Sequence, residues 1–128
     1  MWLDDIAIYL RSLNITGVDQ AVFVHAMPAE VKPAVMVAVG YQGMPVDPEI
    51  PGFFKGRIQV VSRGLKSINA EQYAQAVSNA LTIKETTVGS IFVKYIRPVH
   101  LPVPFPRSGG DYYEASVNFD ICFLSDMA

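Results

Sequence analysis

Sulfur, imidazole and charge are all scarce in this chain, and each scarcity closes off a class of function. Cys122 is the one cysteine in 128 residues, so no intramolecular disulfide or cysteine-rich zinc site can form, which is compatible with folding in a reducing compartment. The two histidines, His25 and His100, sit among apolar neighbours and far apart in sequence. A catalytic or metal role would need carboxylates or a thiol to converge on one of them, so they read as a strand residue and a loop residue. Charged residues make up 17% of the chain, against roughly 25% in an average soluble domain, and some surface is therefore expected to lie under a partner. The 12 acids and 10 bases leave a net charge of -2. Neither sign forms a block, which argues against sequence-specific DNA binding and against anionic lipid.

Long apolar runs and reactive motifs are missing as well. The longest apolar stretch, PAVMVAVG, is far shorter than the roughly 18 residues of a membrane helix, and no membrane association is expected. The start, MWLDDIAIYLRSL, carries two acids after Leu3 and none of the features of a signal peptide. The chain is expected to stay where it is made. RSGGD at 107–111 resembles an anion-binding loop, yet it leads toward a strand rather than a helix N-terminus and reads as a turn. Asp4 with Asp5, and Asp47 with Glu49, lack the geometry of an acid–base pair, and Ser62, Ser78 and Ser90 stand in no nucleophile context. Arg57, Arg63 and Lys66, with Lys94 and Arg97 on a neighbouring strand, read as a solvated strand face. No catalytic residue, cofactor or metal site is expected, and the chain is read as something other than an enzyme.

What is present is a patterned α+β chain. Its length suits a single domain over residues 1–128 with one core. Leu3, Ile6, Ala7, Leu10 and Leu13 recur at helical spacing behind Asp4 and Asp5, and Asn14 and Gly17 stop the run. QAVFVHAM and VKPAVMVAVG read as strands separated by a turn at Pro28, and the second is apolar on both faces, as a covered strand would be. YQGMPVDPEIPGFFKG reads as an irregular apolar loop, and RIQVVSR resumes extended structure. Asn69 with Gln72 makes a capping-box pattern ahead of a helix on Ala70, Tyr73, Ala74, Val77, Ala80 and Leu81. A polar turn ends near Gly89, SIFVKYIR is a strand, and YYEASVNFDICFL alternates apolar with polar. The order is helix, three strands, helix, two strands. It predicts an antiparallel-rich mixed sheet with both helices packed on one face and projecting proline-rich loops.

Two of those loops are unusually apolar. Val99, Leu101, Val103 and Phe105 are interleaved with Pro98, Pro102, Pro104 and Pro106, and Ile50, Phe53 and Phe54 follow a similar proline-rich run. Prolines hold such a segment extended at little further ordering cost. Folding back on the same domain competes with docking on another subunit, and the low charge content favours docking. Ile50, Phe53, Phe54, Val99, Leu101, Val103 and Phe105 are thus the expected subunit or partner interface. A heterologous contact of this kind closes into a ring when the rotation permits.

These features together resemble the phage tail-terminator proteins, also known as minor capsid proteins. The resemblance spans nearly the whole chain, through the opening helix, VFVHAMPAE, GMPVDPEIPGFFKGRIQVVSRG, NAEQYAQAVSNAL and IRPVHLPVPFPRSGGDYYEASVNFDI. It implies a structural virion protein, made in the host cytoplasm, that forms a homo-oligomeric ring, usually a hexamer, at the head–tail junction. There the ring would cap the tail tube protein, offer a joining surface to a neck or head-completion protein, and let DNA pass through its lumen. A head-completion protein of the connector and, from another class, a small ligand-binding α+β domain are the alternatives.

Overall fold

The computed structural model describes residues 2–13, 22–25, 34–39, 43–64, 67–105 and 113–125. The expected helix stop at Asn14 and Gly17, the turn at Pro28, Lys66 and the RSGGD turn lie outside them. Nine elements follow in order: α1 (Trp2–Ser12), β1 (Val22–Val24), β2 (Ala34–Val39), β3 (Phe53–Gly64), α2 (Ser67–Ala80), β4 (Ile83–Val88), β5 (Ile91–Pro98), β6 (Val103–Pro104) and β7 (Tyr113–Leu124). The strands form one mixed sheet in the order β1-β2-β3-β7-β5-β4, with β6 also on β7. The chain is α+β and mostly antiparallel.

The sheet is organised around β3 and β7, which pair antiparallel from Phe53↔Leu124 to Gly64↔Tyr113. Alternation in β7 sends Ala115, Val117, Phe119, Ile121 and Phe123 to one face, all of them buried. Ile58 and Val60 of β3, Val35 and Val37 of β2, and Val93 and Ile96 of β5 join them, and both helices close this face. From α1 come Leu3, Ile6, Ala7 and Leu10, and from α2 Ala70, Ala74 and Val77. Trp2 stacks on Phe123 with ring centroids 4.8 Å apart. We call this the inner face. Ser62 is also buried here, and its hydroxyl finds no hydrogen-bond partner among the described residues.

Two close approaches set the helices on the sheet. A Cβ at Gly64 would lie 2.8 Å from Asn69 Cβ and 2.9 Å from Ala70 N, so the absent side chain lets α2 turn back directly onto the end of β3. Asp5 of α1 accepts hydrogen bonds from the backbone N–H and hydroxyl of Ser90, tying the helix to the β4–β5 turn. Asp5, in the first turn of α1, is thus a link between elements.

The structure corrects the predicted elements in several places. β4 occupies residues assigned to a polar turn. Its Lys84, Glu85 and Thr87 are exposed because it is the sheet edge, and its partner β5 rather than an apolar pattern holds it. β3 begins at Phe53, inside the segment read as irregular, because Phe53–Gly56 pairs with Leu124–Ile121. α2 starts at Ser67, so Asn69 lies within the helix rather than at its cap. β1 runs parallel to β2 instead of turning back along it. His25 lies just beyond β1, exposed, with φ of 66° and its N–H on the Val37 carbonyl. No helix among the described residues is long and apolar enough to cross a membrane.

Candidate interaction surfaces

The residues from Val99 to Phe105 do not stand clear of the sheet. Val99 N–H bonds to the Asn118 carbonyl at 2.8 Å, Val103 and Pro104 pair with Ser116 and Ala115, and Phe105 N–H bonds to the Glu114 carbonyl at 2.8 Å. Only residues 100–102 leave the ladder. Where they do, the imidazole of His100 replaces the missing backbone acceptor, its Nε2 taking the Asn118 N–H at 3.2 Å. That leaves the ring proton on Nδ1, which faces the Leu101 carbonyl at 2.7 Å. His100 is a loop residue, as expected, but one that seals a gap in the sheet. The prolines blunt this edge by removing donors.

The side chains of this segment point to solvent. Val99, Leu101, Val103 and Phe105 are all exposed, Leu101 at the tip by 78%. Ile68 on the outer side of α2 is exposed too. It lines an open groove of about 320 Å³ with Glu71, Gln72, Gln75, Leu101 and Pro102. One apolar patch therefore spans residues 99–105 and the start of α2.

A second patch lies at the other end of the same two strands. Val46 is 74% exposed and Ile50 is exposed as well, on a loop joined to the sheet by the Val46↔Phe54 bridge and by Ser125 N–H on the Gly52 carbonyl at 2.8 Å. Met44 and Pro45 seat the loop over Gly56, where a Cβ would lie 2.7 Å from the Met44 sulfur. Phe53 is half-buried beside it. Phe54, expected among the contact residues, faces the core instead, stacked on Phe123 at 5.2 Å, because strand alternation turns it inward. Val46 and Ile68 complete the two patches and were missed because neither stands in an apolar run.

Of the nine large apolar side chains exposed among the described residues, seven fall in these two patches. Val103 pairs with Ser116 and Phe53 with Leu124, so the patches are separated by eight residues of β7, roughly 27 Å of extended chain. Their residues differ, and neither patch is a copy of the other.

The sheet face away from the helices, the outer face, has a different chemistry. Cross-strand register sets Arg97, Asp120 and Arg57 in one row, and Lys84, Tyr95, Cys122 and Lys55 in the next. Arg57 Nε donates to Asp120 Oδ1 at 3.0 Å, and Arg97 approaches Oδ2 at 3.8 Å. Burial raises the Cys122 thiol pKa, and the charges of Lys55 and Lys94 oppose that shift. Farther along the ladder Arg63 pairs with Glu114 at 3.2 Å and is nearly enclosed. The predicted solvated basic strand thus splits, with Arg57 in the open and Arg63 buried. No group of three potential metal-ligating side chains occurs among the described residues.

Residues 9–123 match the family model described as "Bacteriophage tail terminator protein". Among solved structures, a chain from the virion of a native gene transfer agent (GTA) particle is similar over 94% of each chain, with a TM-score of 0.67 at 13% identity. That likeness is one of fold. No curated protein sequence matches the chain.

Proposed function

The chain belongs to the bacteriophage tail terminator family, a family of phage structural proteins, and on that basis we propose that it assembles as a ring that caps the head-proximal end of the tail tube. The observation that carries this reading is the pair of unlike apolar patches at opposite ends of the β3–β7 ladder. A subunit with two different contact surfaces associates head to tail, and such contacts close into a ring when the rotation per subunit allows. In this arrangement Leu101, Val103 and Phe105, with Val99 and Ile68, meet Val46, Ile50 and Phe53 of the next copy. Each side chain that becomes fully covered contributes up to about 1.5–3 kcal/mol, less where it is already half-buried.

The family resemblance makes a hexamer the expected ring. One ring face binds the last tail tube ring, the other is the joining surface for a neck or head-completion protein, and the termination of growth is geometric. Phe54 has no part in the contact, since its ring is internal. The role is structural and uses no cofactor.

The test is assembly. Electron microscopy and solution mass of the purified protein should give annular particles. Phe105→Asp and Ile50→Asp should each abolish rings without changing the circular dichroism, because a charge enters a desolvated contact. Mixing the two variants leaves one good contact per pair and should yield dimers but no rings. Rings from either variant, or a mixture that stays monomeric, would refute the head-to-tail contact.

A further inference from the structure

Half of the basic residues of this chain gather at the open end of the outer face of the sheet, away from the enclosed Arg63–Glu114 pair. They arrive from four separate places in sequence, Lys55 and Arg57, Lys84, Lys94, and Arg97, which is why no basic block is visible in the linear order. In the two register rows Asp120 is the only carboxylate. Counting Lys94, and with it the exposed Glu85 that lies opposite it between the Lys84↔Tyr95 and Thr86↔Val93 pairs, five cations and two acids give this part of the face +3, so a chain of -2 overall carries -5 elsewhere. Lys94 sits in a bulge of β5 between Val93 and Tyr95, with its Nζ 5.8 Å from the centre of the outward-facing Phe92 ring. Arg97 lies over Tyr95 at 4.6 Å.

The cations are presented to solvent. The side chains of Arg57 and Arg97 are 65% and 62% exposed, and the bond to Asp120 uses only the Nε–H of Arg57. Both arginines, Lys55, Tyr95 and Asp120 line an open groove of about 490 Å³. None of the nine exposed large apolar side chains belongs to these rows. A protein partner covers a patch whose centre is apolar and poor in charge, whereas nucleic-acid contacts are polar, wet and strongly positive.

We propose that the outer face of the sheet is a sequence-independent binding surface for the phosphate backbone of DNA, with Lys55, Arg57, Lys84, Lys94 and Arg97 as its contacts. It requires only the face of one subunit, so it stands or falls apart from the ring. No residue here is assigned to reading bases.

The test is fluorescence anisotropy of a labelled duplex, titrated with the full-length protein over a series of salt concentrations. Four to five phosphate contacts predict that log K falls against log salt with a slope of about -4. Arg57→Gln with Arg97→Gln should flatten the slope by about 2, since each lost phosphate contact removes about 1. Lys55→Gln with Lys84→Gln, tested in the same way, should do likewise, so one misfolded variant does not decide the matter. Duplexes of unrelated sequence should bind equally. A slope unchanged in both double variants, a strong sequence preference, or tighter binding of a poly-glutamate peptide than of DNA at equal charge would each overturn the assignment.

Discussion

The two faces of the sheet are built from the same strands by opposite rules. On the inner face Phe119 and Ile121 interlock with the helices, and polar groups are rare and buried. On the outer face their neighbours Asp120 and Cys122 lie among arginines and lysines. Burial holds the first face together, and one lost contact leaves a hole. The second is held by the ladder beneath it, and its exposed cations, Lys55, Arg57, Lys84, Lys94 and Arg97, are at liberty to serve contacts outside the molecule.

Substitutions along β3 and β7 put this contrast to the test. The largest effect is expected at Phe119, where truncation to Ala should cost about 3–5 kcal/mol in urea unfolding, as for a fully enclosed ring in a core that cannot collapse around the gap. A loss under about 1 kcal/mol there would mean that the inner face is not close-packed. Glu114→Gln comes next. It takes the charge from the partner of a nearly enclosed Arg63, and a loss of roughly 1–3 kcal/mol is expected. Arg57→Ala, on the same strand and also paired to a carboxylate, should stay within about 0.5 kcal/mol, because an exposed pair is screened by solvent. If the Arg57 and Glu114 variants lose the same amount, the difference between the open and enclosed ends of the outer face disappears.

The smallest expected effect is one of pH. The Cys122 thiol is harder to ionise in the folded chain than in the unfolded one. Below the unfolded pKa, about 8.5, both states hold the proton and stability does not depend on it. Above that value the unfolded state loses its proton first, so stability falls with rising pH until the folded thiol also ionises. The difference in unfolding free energy between the native protein and Cys122→Ala should therefore be flat below about pH 8 and shrink above it. A difference that grows with pH would show the thiol to be stabilised as its anion.

The same contrast decides what could be read from the sequence. The inner face was legible because its signal is local: alternation in YYEASVNFDICFL and the helical spacing of Leu3, Ile6, Ala7 and Leu10 each lie within one segment. So was the α+β class. The basic outer face was legible only in part: Arg57, Lys94 and Arg97 were grouped on one solvated face, but Lys55 and Lys84 were not, and the strand that separates Arg57 from Arg97, with Asp120 between them, shows only in the sheet order. β4 was missed for a related reason. An exposed edge strand with Lys84, Glu85 and Thr87 carries a turn-like composition, and only its pairing makes it a strand. Proline-rich spacing did mark Val99–Phe105 and Ile50, both of which lie at the surface. It misplaced Phe54 because residues 53–56 were not seen to be extended, and strand parity alone turns one of two adjacent phenylalanines inward.

The β3–β7 ladder runs unbroken for twelve residue pairs, and both apolar patches are fastened to it. Like the ends of a girder, the two patches are set in orientation by one continuous piece of structure. In a closed assembly made by such contacts, the number of members would follow from the angle between the two ends of the girder. A substitution that twists the ladder, without touching either patch, would change how many copies fit the circle while leaving the strength of each joint intact.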